Sequence, residues 1–195
     1  MTLAILAGGQ GTRLGGVEKG LLELDGRPLL QRLLELAGLF ADVLLVTNNA
    51  SPYVRFPVRC VSDVVRERGA PGGVHAALAA ARTPWVLAVA CDMPFVTAAA
   101  VECLVRERRD GLDAVMFERD GRPEPLLALY SARLKQDWEA SLSPGQSFAA
   151  LLAAMGASIA RLPEAKLRAV DPSLKSLVSV NWPEDMQAHG ITWIP

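Results

Sequence analysis

The chain opens with a short apolar run that passes directly into a glycine-rich loop. Residues 3–6 read Leu-Ala-Ile-Leu. Five glycines then fall within nine positions, namely Gly8, Gly9, Gly11, Gly15 and Gly16. Glycine has no β-carbon, so successive backbone N–H groups in such a loop can converge on an anion. Arg13 and Lys19 add full positive charge to the same segment. The pattern predicts a strand followed by a phosphate-binding loop.

Two familiar phosphate motifs do not fit this loop. A Walker A motif ends in Gly-Lys followed by Ser or Thr, but here Lys19 lies between Glu18 and Gly20. A dinucleotide fingerprint needs a third glycine where this chain has Leu14. The loop therefore indicates a different way of holding a nucleoside triphosphate.

Length and composition are typical of a single enzyme domain. The chain has 195 residues, so we expect one nucleotide-binding domain over 1–195. The net charge of −1 predicts neither a nucleic-acid footprint nor an anionic membrane surface as partner. The apolar start is too short for a signal sequence, and no apolar run approaches the ~20 residues of a membrane span, so we expect a cytoplasmic protein. Cys60, Cys91 and Cys103 form no C-x-x-C pair and are expected to be reduced.

Hydrophobic periodicity predicts alternating strands and helices. Strands are predicted at 2–6, 42–47, 58–62, 85–91, 113–118, 126–130 and 177–181. Helices are predicted from Pro28 to about Gly38, at 73–82, 97–109, 132–142 and 147–155, and in a short segment opening at Pro183. Several strands are continuously apolar, which is typical of a sheet covered on both faces. We predict an α/β three-layer α/β/α sandwich with a mainly parallel sheet.

Polar residues follow several predicted strands, at the edge of the sheet where ligands bind in open α/β folds. The glycine loop follows the first strand, Asn48 lies just beyond the second, Asp63 follows the third and Asp92 the fourth. An isolated aspartate such as Asp63 is also typical of a turn or a helix cap. Asp92 ends a long apolar strand opposite the predicted phosphate loop. A carboxylate in that position suits Mg²⁺, which takes one or two carboxylates together with phosphate and water.

Motifs along nearly the whole chain resemble those of the molybdenum cofactor guanylyltransferases, the MobA family. The motifs are Ala7-Gly8-Gly9 with the following Arg13 and Leu14-Gly15-Gly16, Lys19-Gly20-Leu21-Leu22, Gly26-Arg27-Pro28-Leu29, Val61-Ser62-Asp63, Gly72-Gly73, Cys91-Asp92-Met93-Pro94, Glu124-Pro125-Leu126 and Val180-Asn181-Trp182-Pro183. That family lies within the nucleotidyltransferases, which share a glycosyltransferase-A-like, nucleotide-diphosphosugar-transferase-like fold. The glycine loop and the Cys-Asp-Met-Pro segment are specific when they occur together.

The resemblance implies roles for individual residues. It places the backbone of Leu6, Ala7 and Gly8 against a guanine nucleotide, and Lys19 on its phosphates. It associates Asp63 with the nucleoside and Asp92 with Mg²⁺. Asn48 corresponds to an asparagine that the family often has after the second strand, although Thr47 competes for that position. Ser179 stands where relatives often have the first asparagine of an Asn-x-Asn pair, so that only Asn181 remains. Gly9 favours guanine, because cytidylyl relatives tend to read Ala-Ala-Gly.

The resemblance implies transfer of GMP from MgGTP to molybdopterin or its molybdenum-loaded form, giving the guanine dinucleotide cofactor and pyrophosphate. Such a reaction needs charge neutralisation and in-line positioning more than a strong base, and Arg13, Lys19 and Asp92 are the catalytic candidates. His75 lies in an Ala-Leu helical pattern and is predicted to be a core or helix-edge residue. The two substrates are small molecules, with transient contact to other cofactor-biosynthesis proteins or acceptor molybdoenzymes as the only expected protein partners.

Alternatives remain open for both the reaction and the acceptor site. Cytidylyl transfer to the same pterin and nucleotidyl transfer to a sugar phosphate use the same scaffold, and a non-catalytic GTP-binding protein could keep the pocket. Glu124, Arg119 and Arg122 are candidates for the wall of the pterin site. Charges beside a turn such as Asp120-Gly121 are also commonly just solvated.

Overall fold

Strands and helices alternate along the chain in the computed structural model, which describes residues 1–8 and 14–193. The strands are β1 (Thr2–Leu6), β2 (Glu23–Leu24), β3 (Arg27–Pro28), β4 (Asp42–Val46), β5 (Arg59–Val61), β6 (Trp85–Ala90), β7 (Ala114–Arg119), β8 (Arg122–Ser131), β9 (Ile159–Pro163) and β10 (Ile191–Thr192). The helices are α1 (Leu29–Leu34), α2 (Gly69–Ala80), α3 (Ala98–Arg106), α4 (Lys135–Ser141), α5 (Phe148–Ala154), α6 (Glu164–Arg168) and α7 (Pro183–His189).

The main sheet has seven strands in the order β5-β4-β1-β6-β8-β7-β9. β1 pairs in parallel with β4 and β6, β4 with β5, and β7 with β9. β8 runs antiparallel to both of its neighbours, β6 and β7. The carboxyl ends of β5, β4, β1 and β6 therefore meet at one edge, and β8 enters the sheet from that same edge.

Side chains of β1 alternate between two apolar layers. Leu3 and Ile5 face a core that includes α1, α3 and α6, whereas Ala4 and Leu6 face a core that includes α2, α4 and α5. Strand residues point to opposite faces with a period of two, so a strand covered on both faces is apolar throughout. The three-layer α/β/α sandwich with a mainly parallel sheet is thus confirmed.

A small three-stranded sheet, in the order β10-β2-β3, lies apart from the main one. β2 and β3 are joined at Asp25 and Gly26, which have φ angles of 54° and 70°. Two successive positive φ values are the requirement of a type I′ hairpin turn. Beneath this sheet a separate apolar cluster contains Leu22, Leu24, Leu29, Val180 and Ile191. The cluster joins the segment after the glycine loop to the chain around residue 180.

The predicted strand at 177–181 is wrong. Residues Lys175–Leu177 form a 3-10 turn, preceded by Leu174 with a φ of 53°, and residues 178–181 are not in a strand. Val180 is fully buried in the small cluster, and its N–H donates to the carbonyl of Asp92 at 2.9 Å. The alternating apolar residues that suggest a strand instead pack in two directions from one irregular segment of the chain. Pro28 also differs from expectation, because it caps α1 instead of starting it.

His75 lies in α2 and is fully buried, as the sequence pattern predicts. Cys91 is buried, while Cys60 and Cys103 are partly buried, and all three are free thiols. None of the helices in the described ranges combines the length and apolarity that crossing a membrane requires.

Candidate functional site

Lys19 lies at the centre of the sheet edge, between two oxygen atoms from distant segments. Its Nζ donates to Asp92 Oδ2 and to Asn181 Oδ1, each at 2.7 Å. The Lys19 and Asp92 side chains are 19% and 13% exposed, so the ion pair is largely shielded from water but still reachable. Lys19 follows the glycine loop, Asp92 follows β6, and Asn181 precedes α7. The structure thus brings together two predicted site residues and one whose role the sequence left open.

The backbone around Asp92 and Asn181 is fixed by hydrogen bonds between neighbouring segments. Cys91 N–H donates to the carbonyl of Leu6 at 3.0 Å, and Val180 N–H donates to that of Asp92 at 2.9 Å. These bonds tie the end of β6 to β1 on one side and to residue 180 on the other. The backbone segments that carry the two acceptors of the Lys19 ammonium are therefore hydrogen-bonded to each other.

Asp185 holds the Asn181 segment from the first turn of α7. Its Oδ2 accepts from the N–H groups of Asn181 and Trp182 at 2.8 and 2.9 Å. These two backbone bonds are the main reason that the pKa of Asp185 lies below its usual range. A carboxylate in this position caps the helix and complements its dipole. The Asn181 side chain that bonds to Lys19 therefore lies next to the capped N-terminus of α7.

Asn48 and Asp63 form a reciprocal pair at the ends of β4 and β5. Asn48 Nδ2 donates to Asp63 Oδ2 at 2.8 Å, and Asp63 N–H donates to Asn48 Oδ1 at 3.0 Å. Asn48 is exposed and Asp63 is partly buried, and the bonds between them leave one carboxylate oxygen of Asp63 and one amide proton of Asn48 for a ligand. The pairing also favours Asn48 over Thr47 as the site residue, because Thr47 is buried and its hydroxyl bonds to Asn49.

Glu18 anchors the segment before Lys19, a contact that the sequence did not indicate. Asn49 Nδ2 donates to Glu18 Oε1 at 3.2 Å, and Tyr53 O–H donates to Glu18 Oε2 at 3.1 Å. Tyr53 is 1% exposed, and burial, followed by nearby negative charge, raises its pKa above the usual range, so the phenol remains a donor. These two hydrogen bonds therefore link the segment before Lys19 to the residues that follow β4.

The backbone after β1 changes from buried to exposed within two residues. Ala7 N–H donates to the carbonyl of Val46 at 2.8 Å, so Leu6 and Ala7 still belong to the sheet. Gly8 is exposed, and a β-carbon built on it would meet no atom within 4 Å. Gly8 therefore leaves open space where a ligand can approach the main chain. Gly9 and Arg13 lie outside the described residues.

A cavity of about 500 Å³ opens at the β7–β8 hairpin. Its lining residues are Arg119, Asp120, Arg122, Pro123, Glu124 and Leu177. Arg119, Arg122 and Glu124, the three candidates for the wall of the acceptor site, therefore all line this cavity. Arg119 also forms an ion pair with its neighbour Asp120, at 3.8 Å. Burial raises the pKa of Glu124, the backbone bond from Leu126 N–H opposes this, and the charge of Asp92 adds to the increase.

The donor set around Lys19 fits a hard divalent cation. Asp92 Oδ2 and Asn181 Oδ1 converge on one ammonium group, which shows that a positive charge is stable there. No group of three or more His, Cys, Asp or Glu side chains suited to a metal occurs within residues 1–8 and 14–193. Mg²⁺ needs no such group, since it is commonly held by one or two carboxylates and completes its shell with phosphate and water.

Cys91 adjoins Asp92 but is a poor nucleophile. The thiol is buried, and burial together with the charge of Asp92 raises its pKa above the usual range. The reactive thiolate is therefore suppressed. The arrangement is suited to binding and orienting phosphates, not to covalent catalysis through sulfur.

Comparisons with known proteins agree with this geometry. A family model for the MobA-like NTP transferase domain matches residues 3–161. A molybdenum cofactor guanylyltransferase of Desulfosudis oleivorans is 31% identical, with 96% of this chain and 93% of that protein covered. One of Pseudomonas aeruginosa is 35% identical, with 96% and 93% covered. The crystal structure of molybdopterin-guanine dinucleotide biosynthesis protein A from Archaeoglobus fulgidus has a TM-score of 0.83 at 29% identity, with 97% of this chain and 96% of the other covered.

Proposed function

Since the chain belongs to the MobA-like NTP transferase family, we propose that it transfers GMP from GTP to molybdopterin. The product is the guanine dinucleotide form of the molybdenum cofactor, and pyrophosphate is released. The observation that carries the proposal is the convergence of Lys19, Asp92 and Asn181 beside an open glycine backbone. The names of the relatives, molybdenum cofactor guanylyltransferases, support guanine as the base and a form of the molybdenum cofactor as the acceptor.

The reaction does not need a strong base. An oxygen of the acceptor phosphate forms a bond to the α-phosphorus of GTP, and the bond from that phosphorus to the bridging β-oxygen breaks. Pyrophosphate leaves with the electron pair of the broken bond. Both the nucleophile and the leaving group are anions at neutral pH, so the chief barrier is their mutual repulsion. Fixed positive charge and alignment are therefore the effects that the protein has to supply.

Lys19 is the described residue best placed to supply positive charge. Its ammonium is mobile on a four-carbon stem, so it can leave Asp92 and Asn181 and contact the triphosphate. Asp92 and Asn181 would then hold Mg²⁺, which would neutralise the phosphates and favour departure of pyrophosphate. Arg13, in the same loop, is proposed as a second cation on the phosphates.

The nucleoside is assigned to the β4–β5 side of this centre. Asn48 is exposed there and bonds to the partly buried Asp63, and Gly73 of α2 lies close to both Leu6 and Asp63. The backbone of Leu6, Ala7, Gly8 and Gly9 would line the floor beneath the guanosine. The acceptor is assigned to the opposite side, in the cavity beside Glu124.

Nucleotide selectivity and product formation test the proposal together. With Mg²⁺ present, GTP should bind at least ~10-fold more tightly than CTP, ATP or UTP, a difference of about 1.4 kcal/mol. Molybdopterin and GTP should then yield pyrophosphate and the dinucleotide in equal amounts. Tighter CTP binding would point to the cytidylyl alternative. GTP binding without transfer to molybdopterin would point to a sugar-phosphate acceptor or a non-catalytic protein. Location in the cytoplasm and handover to protein partners stay predictions.

A further inference from the structure

Glu124 is a half-buried carboxylate that lines the cavity together with Arg119 and Arg122 but forms no ion pair with either arginine. Leu126 N–H donates to its Oε1 at 3.0 Å, and no ion pair to Glu124 forms among residues 1–8 and 14–193. A carboxylate withdrawn from water without such a partner is costly. Both oxygens keep acceptor capacity for a ligand, since the backbone bond occupies only one of the lone pairs of Oε1.

Glu124 and Asp92 lie at the same edge of the main sheet. In the antiparallel pair of β6 and β8, the last paired residues at this edge are Val89 and Leu127. Asp92 follows β6 and Glu124 precedes Leu127 on β8, and the Asp92 charge acts on the Glu124 carboxyl. Across the edge, the order of groups is therefore Asn48 and Asp63, then Lys19 and Asp92, then Glu124. Glu124 lies on the side away from the assigned nucleoside.

The chemistry of the carboxylate selects the part of the acceptor that it can bind. A phosphate would be repelled by Glu124, whereas two adjacent N–H donors would match its two oxygens. The pterin ring of molybdopterin carries such a pair in its N3–H and 2-amino groups. A cavity of about 500 Å³ is within the usual range for a small-molecule site.

We propose that Glu124 determines acceptor specificity by accepting hydrogen bonds from the N3–H and 2-amino groups of the pterin. This inference rests on the proposed function. The acceptor phosphate would then point towards Asp92 and the pterin ring towards the β7–β8 hairpin. A buried acceptor left unmatched penalises any ligand that lacks the two donors, so Glu124 would reject acceptors other than pterins.

Steady-state kinetics of the Glu124→Gln and Glu124→Ala variants test this role. With MgGTP saturating, both should raise the KM for molybdopterin at least ~10-fold, with kcat changed less than ~3-fold and GTP affinity unchanged. Glu118→Gln is the matched control, because Glu118 lies on the same hairpin, pairs with Arg161 and does not line the cavity. An unchanged KM, or a fall in kcat with altered Mg²⁺ dependence, would overturn the inference.

A binding experiment separates this inference from the proposed function. The probe is a 6-substituted pterin phosphate, followed by pterin fluorescence, and its 2-oxo analogue, which lacks the amino group. The wild type should bind the pterin at least ~10-fold more tightly than the analogue, and Glu124→Ala should lose this preference. If the wild type transfers GMP to molybdopterin yet shows no preference, only the role of Glu124 fails. If the wild type binds no pterin at all, both proposals fail.

Discussion

Lys19 Nζ lies 2.7 Å from Asp92 Oδ2, although 73 residues separate the two in the sequence. The ammonium neutralises the carboxylate that is proposed to hold Mg²⁺. Binding of MgGTP would replace this contact by two others, lysine to phosphate and carboxylate to metal. A cation would then face the carboxylate in either arrangement, which keeps the cost of its partial burial low.

Lys19→Ala should weaken GTP binding at least ~10-fold and slow turnover as well, because the ammonium meets phosphate before and during the reaction. Calorimetric titration with MgGTP measures the first effect and pyrophosphate release the second. Lys166→Ala is the control, since Lys166 pairs with Glu107 elsewhere on the surface. Unchanged GTP affinity in Lys19→Ala would contradict the phosphate-binding role.

Asp92→Asn should mainly reduce kcat, on the order of 10²-fold or more, and weaken the dependence of the rate on Mg²⁺. The amide keeps the size of the side chain and can still accept a bond from Lys19. Asp137→Asn, an equivalent change on the exposed face of α4, should leave the rate unaltered. Near-normal turnover in Asp92→Asn would remove the metal role.

The site could be predicted where it follows the strands of the main sheet. The glycine loop, Asp63 and Asp92 each follow an apolar strand, so the rule that ligands bind at carboxyl ends locates them from the sequence. Asn181 follows no strand. Its place beside Lys19 depends on Val180, which packs with Leu22 and donates to Asp92. Such contacts between distant segments leave no periodic signal in the chain.

The small sheet was missed for a related reason. β2, β3 and β10 have two residues each, and a period of two cannot be recognised over such a length. β9 was also missed, because it is an edge strand that is only partly buried and ends at Pro163. Glu18 and Tyr53 could not be paired from the sequence, since their contact spans 35 residues between two loop segments.

Gly8→Ala should cost GTP affinity with little change in the melting temperature of the free protein. The added methyl group meets no atom within 4 Å in the free protein, so any loss reflects space that the nucleotide needs. Gly26→Val is the contrasting variant. Gly26 has a φ of 70°, and a β-branched residue there should lower stability by about 1–2 kcal/mol while GTP affinity survives. Thermal melts with and without MgGTP distinguish the two patterns. A destabilised Gly8→Ala that keeps the full ligand shift would make the loop merely structural.

Asp185→Ala should lower stability by about 1 kcal/mol through loss of the helix cap and should also reduce kcat several-fold. The second effect is expected because Asn181 N–H and Trp182 N–H lose their shared acceptor, and the Asn181 side chain then loosens its hold on Lys19. Glu184→Ala, the neighbouring acid of the same first turn, is the control for charge alone. Equal effects of the two variants on kcat would contradict a positioning role for Asp185.

His75 should make folding sensitive to mild acid. Burial lowers its pKa from the usual 6.5, Glu139 opposes this, and Lys135 adds to it. Nε2 lies 3.6 Å from Glu139 Oε2, so this carboxylate offsets only part of the cost of protonation. The unfolded chain therefore binds the proton more readily than the native protein does. Stability is then complete above about pH 6.5 and is lost as pH falls towards the lowered native pKa.

His75→Leu should remove this sensitivity, because leucine fills similar space among the surrounding apolar residues and does not titrate. Urea unfolding between pH 7.5 and 5 measures the effect, and a single proton limits the extra slope in unfolding free energy to about 1.4 kcal/mol per pH unit. His189→Gln should keep the wild-type slope, since His189 is only partly buried and contacts the ring of Phe95. If His75→Leu loses stability with acid as steeply as the wild type, the sensitivity lies in the carboxylates and not in the buried imidazole.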